Sequence, residues 1–421
     1  MSDLAQQQAD GNRHTPADAE QATPKGRWHR GWLVTFGCFL IAVFAWGTVF
    51  YGHGFYVASL TELHGWSVSA VSGAITLFWI VGIPMTLITG GLIDRFGPRL
   101  VMATGGTLVG LSVIALGSVD SLWQAYLAFT LMALGYPAVG AVGISAALSP
   151  WFTRNLGMAM SFALTGASVG AMLMIPAVTR LAVAEGFPFA ARVAGLSVMI
   201  VAILISVSML SRPPVATTVG GPSALAHLGA TARMRTFWII VLASGLSLGA
   251  QVGFLAHQIP VLEERLSRTD AADAVAVTAF AGIIGRFGLG YLTERIDLRR
   301  IALGAYAFQA LGLLAISMAP SGPLLLAACA WSGLVVGCLV LLPPLLARRW
   351  FGARGYGKTY GLLALFLYLF QGIGPSLSGL IRDGSGTYVP SLWTLSAILV
   401  VAMAVMTRLP APPPEDGDGL P

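Results

Sequence analysis

One arginine carries most of the chemical information in this chain. Arg286 lies in the run Phe280-Ala-Gly-Ile-Ile-Gly285-Arg286-Phe-Gly288-Leu-Gly290, which is otherwise apolar and opened up by glycines. A guanidinium stays charged at any relevant pH and grips a carboxylate through two parallel hydrogen bonds. Inside an apolar segment such a charge is costly unless it meets a wet cavity, a partner or a ligand, so Arg286 is a candidate anion-binding group. Tyr51, Tyr136, Tyr368 and Gln371 occupy similar runs and offer neutral hydrogen bonds to the rest of a solute. His53, within Tyr51-Gly52-His53-Gly54-Phe55-Tyr56, and His257, beside Gln251 and Gln258, are the titratable candidates for carrying a proton. A histidine with a pKa of about 6.5 suits that task. Nothing resembles a nucleotide-binding loop, a metal cluster or a catalytic pair, and Cys38, Cys329 and Cys338 all sit in apolar runs. No cofactor, metal, disulfide or ATP-driven step is expected, and the chain is not expected to be an enzyme.

These residues are spread over a chain that water cannot dissolve. Of 421 residues 56% are hydrophobic and 10% charged, with a mean hydropathy of +0.77. A soluble domain carries about 25% charged residues, so the expected solvent is lipid and the expected fold an all-α membrane protein. Twelve apolar stretches are long enough to cross about 30 Å of hydrocarbon as helices. Spans 1 to 6 cover 31–58, 68–92, 100–118, 121–149, 156–180 and 187–211, and spans 7 to 12 cover 236–262, 271–293, 299–320, 322–346, 358–381 and 388–408. A polar tail at 1–27, a linker at 212–235 rich in proline, glycine and arginine, and a tail at 409–421 complete the chain. Two six-helix halves, 28–211 and 236–408, are expected on either side of the linker.

The 24 basic residues orient these spans. Eighteen fall in the tails, the linker and the connections on the side of the termini, five fall on the opposite side, and Arg286 alone lies within a span. Basic loops face the cytoplasm, so both termini are expected there, in a multi-pass protein of the inner membrane. The net charge of +6 is then topology and not a nucleic-acid footprint.

The halves repeat each other. After span 2 the chain reads Gly90-Gly-Leu-Ile-Asp94-Arg95-Phe-Gly97-Pro-Arg99, and after span 8 it reads Gly290-Tyr-Leu-Thr-Glu294-Arg295-Ile-Asp297-Leu-Arg299, 200 residues later. Trp151-Phe152-x-Arg154 before span 5 returns as Trp350-Phe351-x-x-Arg354 before span 11. Parallel repeats follow. The glycine of each turn is expected to let its helix approach a neighbour. Asp94, Arg95, Arg99, Arg154, Glu294, Arg295 and Arg299 are expected to pair across a cytoplasmic seam and act as a gate. Tyr136-Pro137 in span 4 and Pro343-Pro344 in span 10 are expected to bend two corresponding helices.

These turns resemble the signature of the major facilitator superfamily. The stretch Trp151-Phe-Thr-Arg154-Asn-Leu-Gly157-Met-Ala159-Met-Ser-Phe-Ala-Leu-Thr-Gly166-Ala-Ser-Val-Gly170 is similar to the start of helix 5 in its monocarboxylate porter and oxalate/formate antiporter-like branch, as are Gly31-Trp32 and Gly65-Trp66-Ser67 at the starts of spans 1 and 2. The resemblance runs from about Gly31 to Arg408 and implies a twelve-helix secondary carrier, a functional monomer that binds its solute between the halves. It implies that Arg286 takes the carboxylate. Animal carriers of this branch place an aspartate four residues earlier, where this chain has Gly282, so proton coupling falls to His53 or His257. Oxalate exchangers carry a second cation within helix 11, whereas Lys358 here only begins it. One cation favours a small monocarboxylate moved with a proton; the alternatives are exchange without a proton, or carriage of a drug-like amphiphile or an aromatic acid.

Overall fold

The computed structural model describes residues 25–152, 155–209, 229, 231–352 and 356–412. Most of the tail at 1–27, most of the linker at 212–235, Arg154 and the end of the tail at 409–421 lie outside the described residues. A helix satisfies its own backbone polar groups, which lipid cannot do, and all regular structure among the described residues is helical. Eleven of these helices are long and apolar enough to cross a membrane. One of them, Val68–Leu116, has 49 residues and holds both span 2 and span 3. Its length of roughly 74 Å is more than twice the hydrocarbon thickness. It divides at Gly97, whose φ of 81° and ψ of 158° admit no side chain easily. The architecture is therefore consistent with twelve crossings.

Gly97 is the turn residue of the first repeated motif. Its counterpart Asp297 solves the same turn differently, with φ −56° and a side chain that accepts from the backbone N–H groups of Arg299 and Arg300. Glycine supplies a left-handed backbone in one half, and a capping carboxylate starts the next helix in the other. Ser67 and Ser267 cap spans 2 and 8 in the same way, accepting from Ala70 N and Asp270 N.

Four spans are broken. Span 1 divides into Lys25–Thr48 and His53–His64, span 4 into Leu122–Val139 and Ala141–Leu148, span 7 into Arg235–Leu255 and Gln258–Glu263, and span 10 into Pro323–Leu339 and Leu342–Phe351. The breaks in spans 4 and 10 follow from Pro137 with the extended Gly140, and from the proline pair at the start of the second segment. The break in span 7 falls at Ala256, four residues before Pro260, whose ring cannot sit against the Ala256 carbonyl in a continuous helix, and the break in span 1 has no proline. In span 1 the Tyr56 hydroxyl donates to the freed Thr48 carbonyl at 2.9 Å.

Spans 1 and 5 pack against each other, and so do their counterparts 7 and 11. The crossings are backbone to backbone: a Cβ on Gly47 would lie 2.7 Å from Gly170 C, and one on Gly374 would lie 2.0 Å from Gly249 O. Lipid gives apolar side chains no reason to cluster, so close backbone approach drives such pairs. The halves meet along two mirrored lines, span 2 with span 11 and span 5 with span 8. Large apolar side chains such as Leu87 and Phe287 face outward, as expected where the surroundings are acyl chains. Gly90 and Gly290 correct one expectation: a Cβ on either would meet nothing within 4 Å, so neither makes a close helix approach in this conformation.

Candidate functional site

The seam between the halves is fastened at the end remote from the termini. Glu62 at the end of span 1 accepts from Arg268 at the start of span 8, which also donates to Ser59 Oγ and lies 3.3 Å from Glu263. Arg180 of span 5 donates to both oxygens of Asp273 at 2.7 Å. Asp383, after span 11, accepts from Val68 N at 3.1 Å and Ser69 N at 2.8 Å, so one half caps a helix of the other. Deeper in, Thr76 bonds to Ser376 at 2.6 Å. Burial pushes the Glu263 carboxyl above the usual carboxylate range, Arg268 pulls it back, and Glu62 adds to the rise. A cavity of about 480 Å³ lies within this network, bordered by Glu62, Glu263, Glu264, Arg268 and Arg382.

At the other end the repeated turns face one another without joining. Asp94, Arg95, Glu294 and Arg295 are exposed, and among the described residues none has an ion-pair partner. Arg95 lies over Phe96 and Arg295 over Tyr291, while Arg299 donates to Thr407 O within its own half. Arg99 is likewise exposed. Among the described residues the expected pairing across the seam is absent, and the opposite end holds the halves together.

Between the ends lies a second cavity of about 140 Å³, bounded by spans 1, 2, 4, 7, 10 and 11. Tyr136, Tyr368 and Gln371 line it, as do Trp46, Phe50 and Trp79. Trp79 and Tyr368 approach from opposite halves with ring centroids 5.4 Å apart and planes tilted by 34°. Tyr51 stands behind Phe50, with rings 5.0 Å apart, beside Ser168 and in the field of the Arg286 guanidinium. Tyr136 and Phe50 both pack against Trp46, with ring centroids 6.0 and 5.6 Å away, so Tyr136 is linked to Tyr51 through Trp46 and Phe50.

Arg286 is half-buried. Its stem lies against span 10, where a Cβ on Gly337 would come within 2.7 Å of Cγ. Nη1 donates to the Leu164 carbonyl of span 5 at 3.3 Å, reaching into the other half, and among the described residues no carboxylate pairs with Arg286. Among the described residues no Asp or Glu is fully buried.

The two histidines occupy similar places without being repeat counterparts, since the 200-residue offset aligns His53 with Gly253. Both adjoin the break of their helix, His53 in span 1 and His257 in span 7. Their settings differ. His53 is enclosed by Phe78, Trp79 and Phe129, with ring centroids 5.1, 6.5 and 6.0 Å away, and its Nε2 has no partner. His257 lies at the seam: Nε2 is 2.9 Å from the Pro375 carbonyl and 3.2 Å from Ser72 Oγ of the other half, and Nδ1 is 3.2 Å from Tyr388 OH. A carbonyl only accepts, so Nε2 carries the proton and Nδ1 accepts from the tyrosine.

Sequence reasoning passed over Trp46 and Trp79, which look like packing residues, and over Glu62, Arg268 and Asp383, which look like loop charges. The repeat was the usable signal, because it fixes which helices face the seam.

Two sets of membrane-length helices, fastened to each other at one end of their seam and enclosing a cavity along it, have the form of a membrane carrier. A family model of the Major Facilitator Superfamily matches residues 35–266 and 258–421. The chain belongs to that superfamily of transporters. Among curated proteins it is 27% identical to human monocarboxylate transporter 11 over 411 residues, 94% of this chain and 85% of the relative. It is 29% identical to the oxalate:formate antiporter of Oxalobacter formigenes over 156 residues, 37% of each chain. Among solved structures, a bacterial homolog of the human lysosomal transporter Spinster, inward-facing and unoccupied, superposes with a TM-score of 0.70 at 15% identity, over 91% of this chain and 97% of that one. The nucleoside transporter NupG gives 0.75 at 12% identity, over 90% and 99%.

Proposed function

We propose that this transporter carries a small monocarboxylate across the inner membrane by alternating access, with both termini in the cytoplasm. The observation that carries the reading is Arg286, the basic residue deepest within a span, which uses one long bond to Leu164 O and among the described residues has no acidic partner. A guanidinium has five N–H donors, so most of its bonding capacity is free for a carboxylate. Tyr51, Tyr136, Tyr368 and Gln371 would contact the remainder of the solute. The relatives named as monocarboxylate transporters and as an oxalate:formate antiporter support an organic anion. The single cation favours one carboxylate over two.

A proton accompanies the anion in this reading. Charging His53 inside its aromatic enclosure would bury an unpaired cation, which is costly. His257 is hydrogen-bonded on both nitrogens and touches both halves, so its protonation would be felt directly by the seam. The gate would close at the termini end when Asp94, Arg95, Arg99 and Arg154 meet Glu294, Arg295 and Arg299 across it.

Uptake of a panel of labelled carboxylates into proteoliposomes, with and without an imposed pH gradient, tests this. Arg286→Gln is expected to abolish uptake; unchanged uptake would remove Arg286 from the site. Indifference to the gradient would replace symport by exchange or uniport.

A further inference from the structure

The arginine that fastens the closed end has a carboxylate on each side of the seam. Arg268, at the start of span 8, donates from Nη1 to Glu62 and from Nη2 to Ser59 Oγ at 3.0 Å, and both partners belong to span 1 of the other half. Glu263 belongs to the same half as Arg268, and its Oε1 lies 3.3 Å from Arg268 Nε. That contact is an ion pair without a hydrogen bond: Nε and Oε1 are both buried, and neither has a hydrogen-bond partner. Glu264 does not take the place of Glu263, because its Oε1 accepts from Tyr388 N at 2.9 Å and lies 3.7 Å from Arg382 Nε.

Buried polar atoms nearly always find partners, so a donor and an acceptor this close and still unbonded call for a reason. A guanidinium binds a carboxylate best along one edge, through two parallel N–H bonds. The edge available to Glu263 is Nε with Nη2, and Ser59 occupies Nη2 while the halves touch. When Ser59 and Glu62 leave with their half, that edge is released. Glu263 ends the short helix Gln258–Glu263 and Arg268 begins Arg268–Thr293, so the two travel together and remain in reach of each other.

We propose that Arg268 is a two-position switch: it grips Glu62 and Ser59 across the seam while this end is closed, and turns onto Glu263 of its own half when the end opens. The inference rests on the alternating-access reading and adds an element that works in both of its states. Glu263 is then a positioning residue of the open state and not a fastener of the closed one. The guanidinium keeps a carboxylate throughout, so opening strands no charge in a partly desolvated cleft. The balance between states depends on the difference between two ion pairs, and the two glutamates oppose each other.

The near-isosteric variants Glu62→Gln and Glu263→Gln test this in the full-length carrier held in lipid nanodiscs. The probe is the rate at which an impermeant maleimide modifies Ala58→Cys in the wall of the adjoining cavity. While the closed state dominates, that rate follows the open fraction. Glu62→Gln should raise it and Glu263→Gln should lower it, each by about two- to fivefold, the upper range for one partly exposed ion pair. Glu263→Asp, which keeps the charge, should stay near the parent, and the double Gln variant should return towards it. Both Gln substitutions remove a carboxylate near the thiol and would change its intrinsic reactivity in one direction, so opposite shifts report on the gate. A faster or unchanged rate in Glu263→Gln would overturn the switch and leave alternating access standing. A thiol that stays unmodified in both the parent and Glu62→Gln would show that this end does not open, and would overturn the alternating-access reading and this inference with it.

Discussion

Asp383 offers the most quantitative test of how the closed end is held. Its carboxylate accepts from Val68 N and Ser69 N, the first donors of span 2, across the seam between the halves. Ser67 Oγ accepts from Ala70 N, and Ser67 O from Val71 N, so the helix start is fully partnered only while the halves touch. The site is exposed, and water replaces the carboxylate when the seam opens, so each bond is worth the modest value of a surface cap. At about 0.5–1 kcal/mol each, the pair holds the closed state by about 1–2 kcal/mol. Asp383→Ala should therefore raise the open fraction about 5- to 30-fold. Asp383→Asn keeps one acceptor oxygen and should fall between.

The assay is the rate at which an impermeant maleimide modifies Ala58→Cys, a cavity-lining position that is 8% exposed in the closed state. Native Cys38 and Cys329 are fully buried, and the parent protein gives the background from Cys338. While the closed state dominates, the rate is proportional to the open fraction. A modification rate unchanged in Asp383→Ala would refute the claim that this cap fastens the seam.

The same thiol reports on pH. Burial and Glu62 raise the Glu263 carboxyl above its solvated value in the closed state, against the pull of Arg268, with Glu264 and Arg382 bordering the same cavity. A state that raises a carboxyl's pKa binds its proton more tightly, so lowering the pH favours closure and raising it favours opening. Glu263→Gln should flatten that dependence, once rates are corrected with a reference thiol; an unaltered pH profile would exclude Glu263 as its source. In the packing of span 7 on span 11, Gly374→Ala would place a Cβ 2.0 Å from Gly249 O, and the carrier should lose about 1–3 kcal/mol or more of stability, read as a lower melting temperature in detergent. A melting temperature equal to the parent's would refute a tight crossing of spans 7 and 11.

The chain by itself determined its solvent, its helices and its duplication, because these depend on local composition. Lipid demands long apolar runs with self-satisfied backbones, and such runs are legible one at a time. The left-handed turn at Gly97 and the proline breaks of spans 4 and 10 were legible for the same reason: a single residue decides each. Arg286 stood out because a lone charge in an apolar run is costly unless something answers it.

Tertiary structure decided what gathers around that charge. These helices are apolar on nearly every face, so periodicity cannot tell the side that meets the seam from the side that meets lipid. Trp46 and Trp79 therefore looked the same as lipid-facing Trp123 until the halves were packed. The fastening of Asp383 to a helix 315 residues away and the bonds of His257 to Ser72, Pro375 and Tyr388 also depend on contacts between distant segments. Close glycine crossings fix how each half packs, and that packing sets which side chains line the cavity.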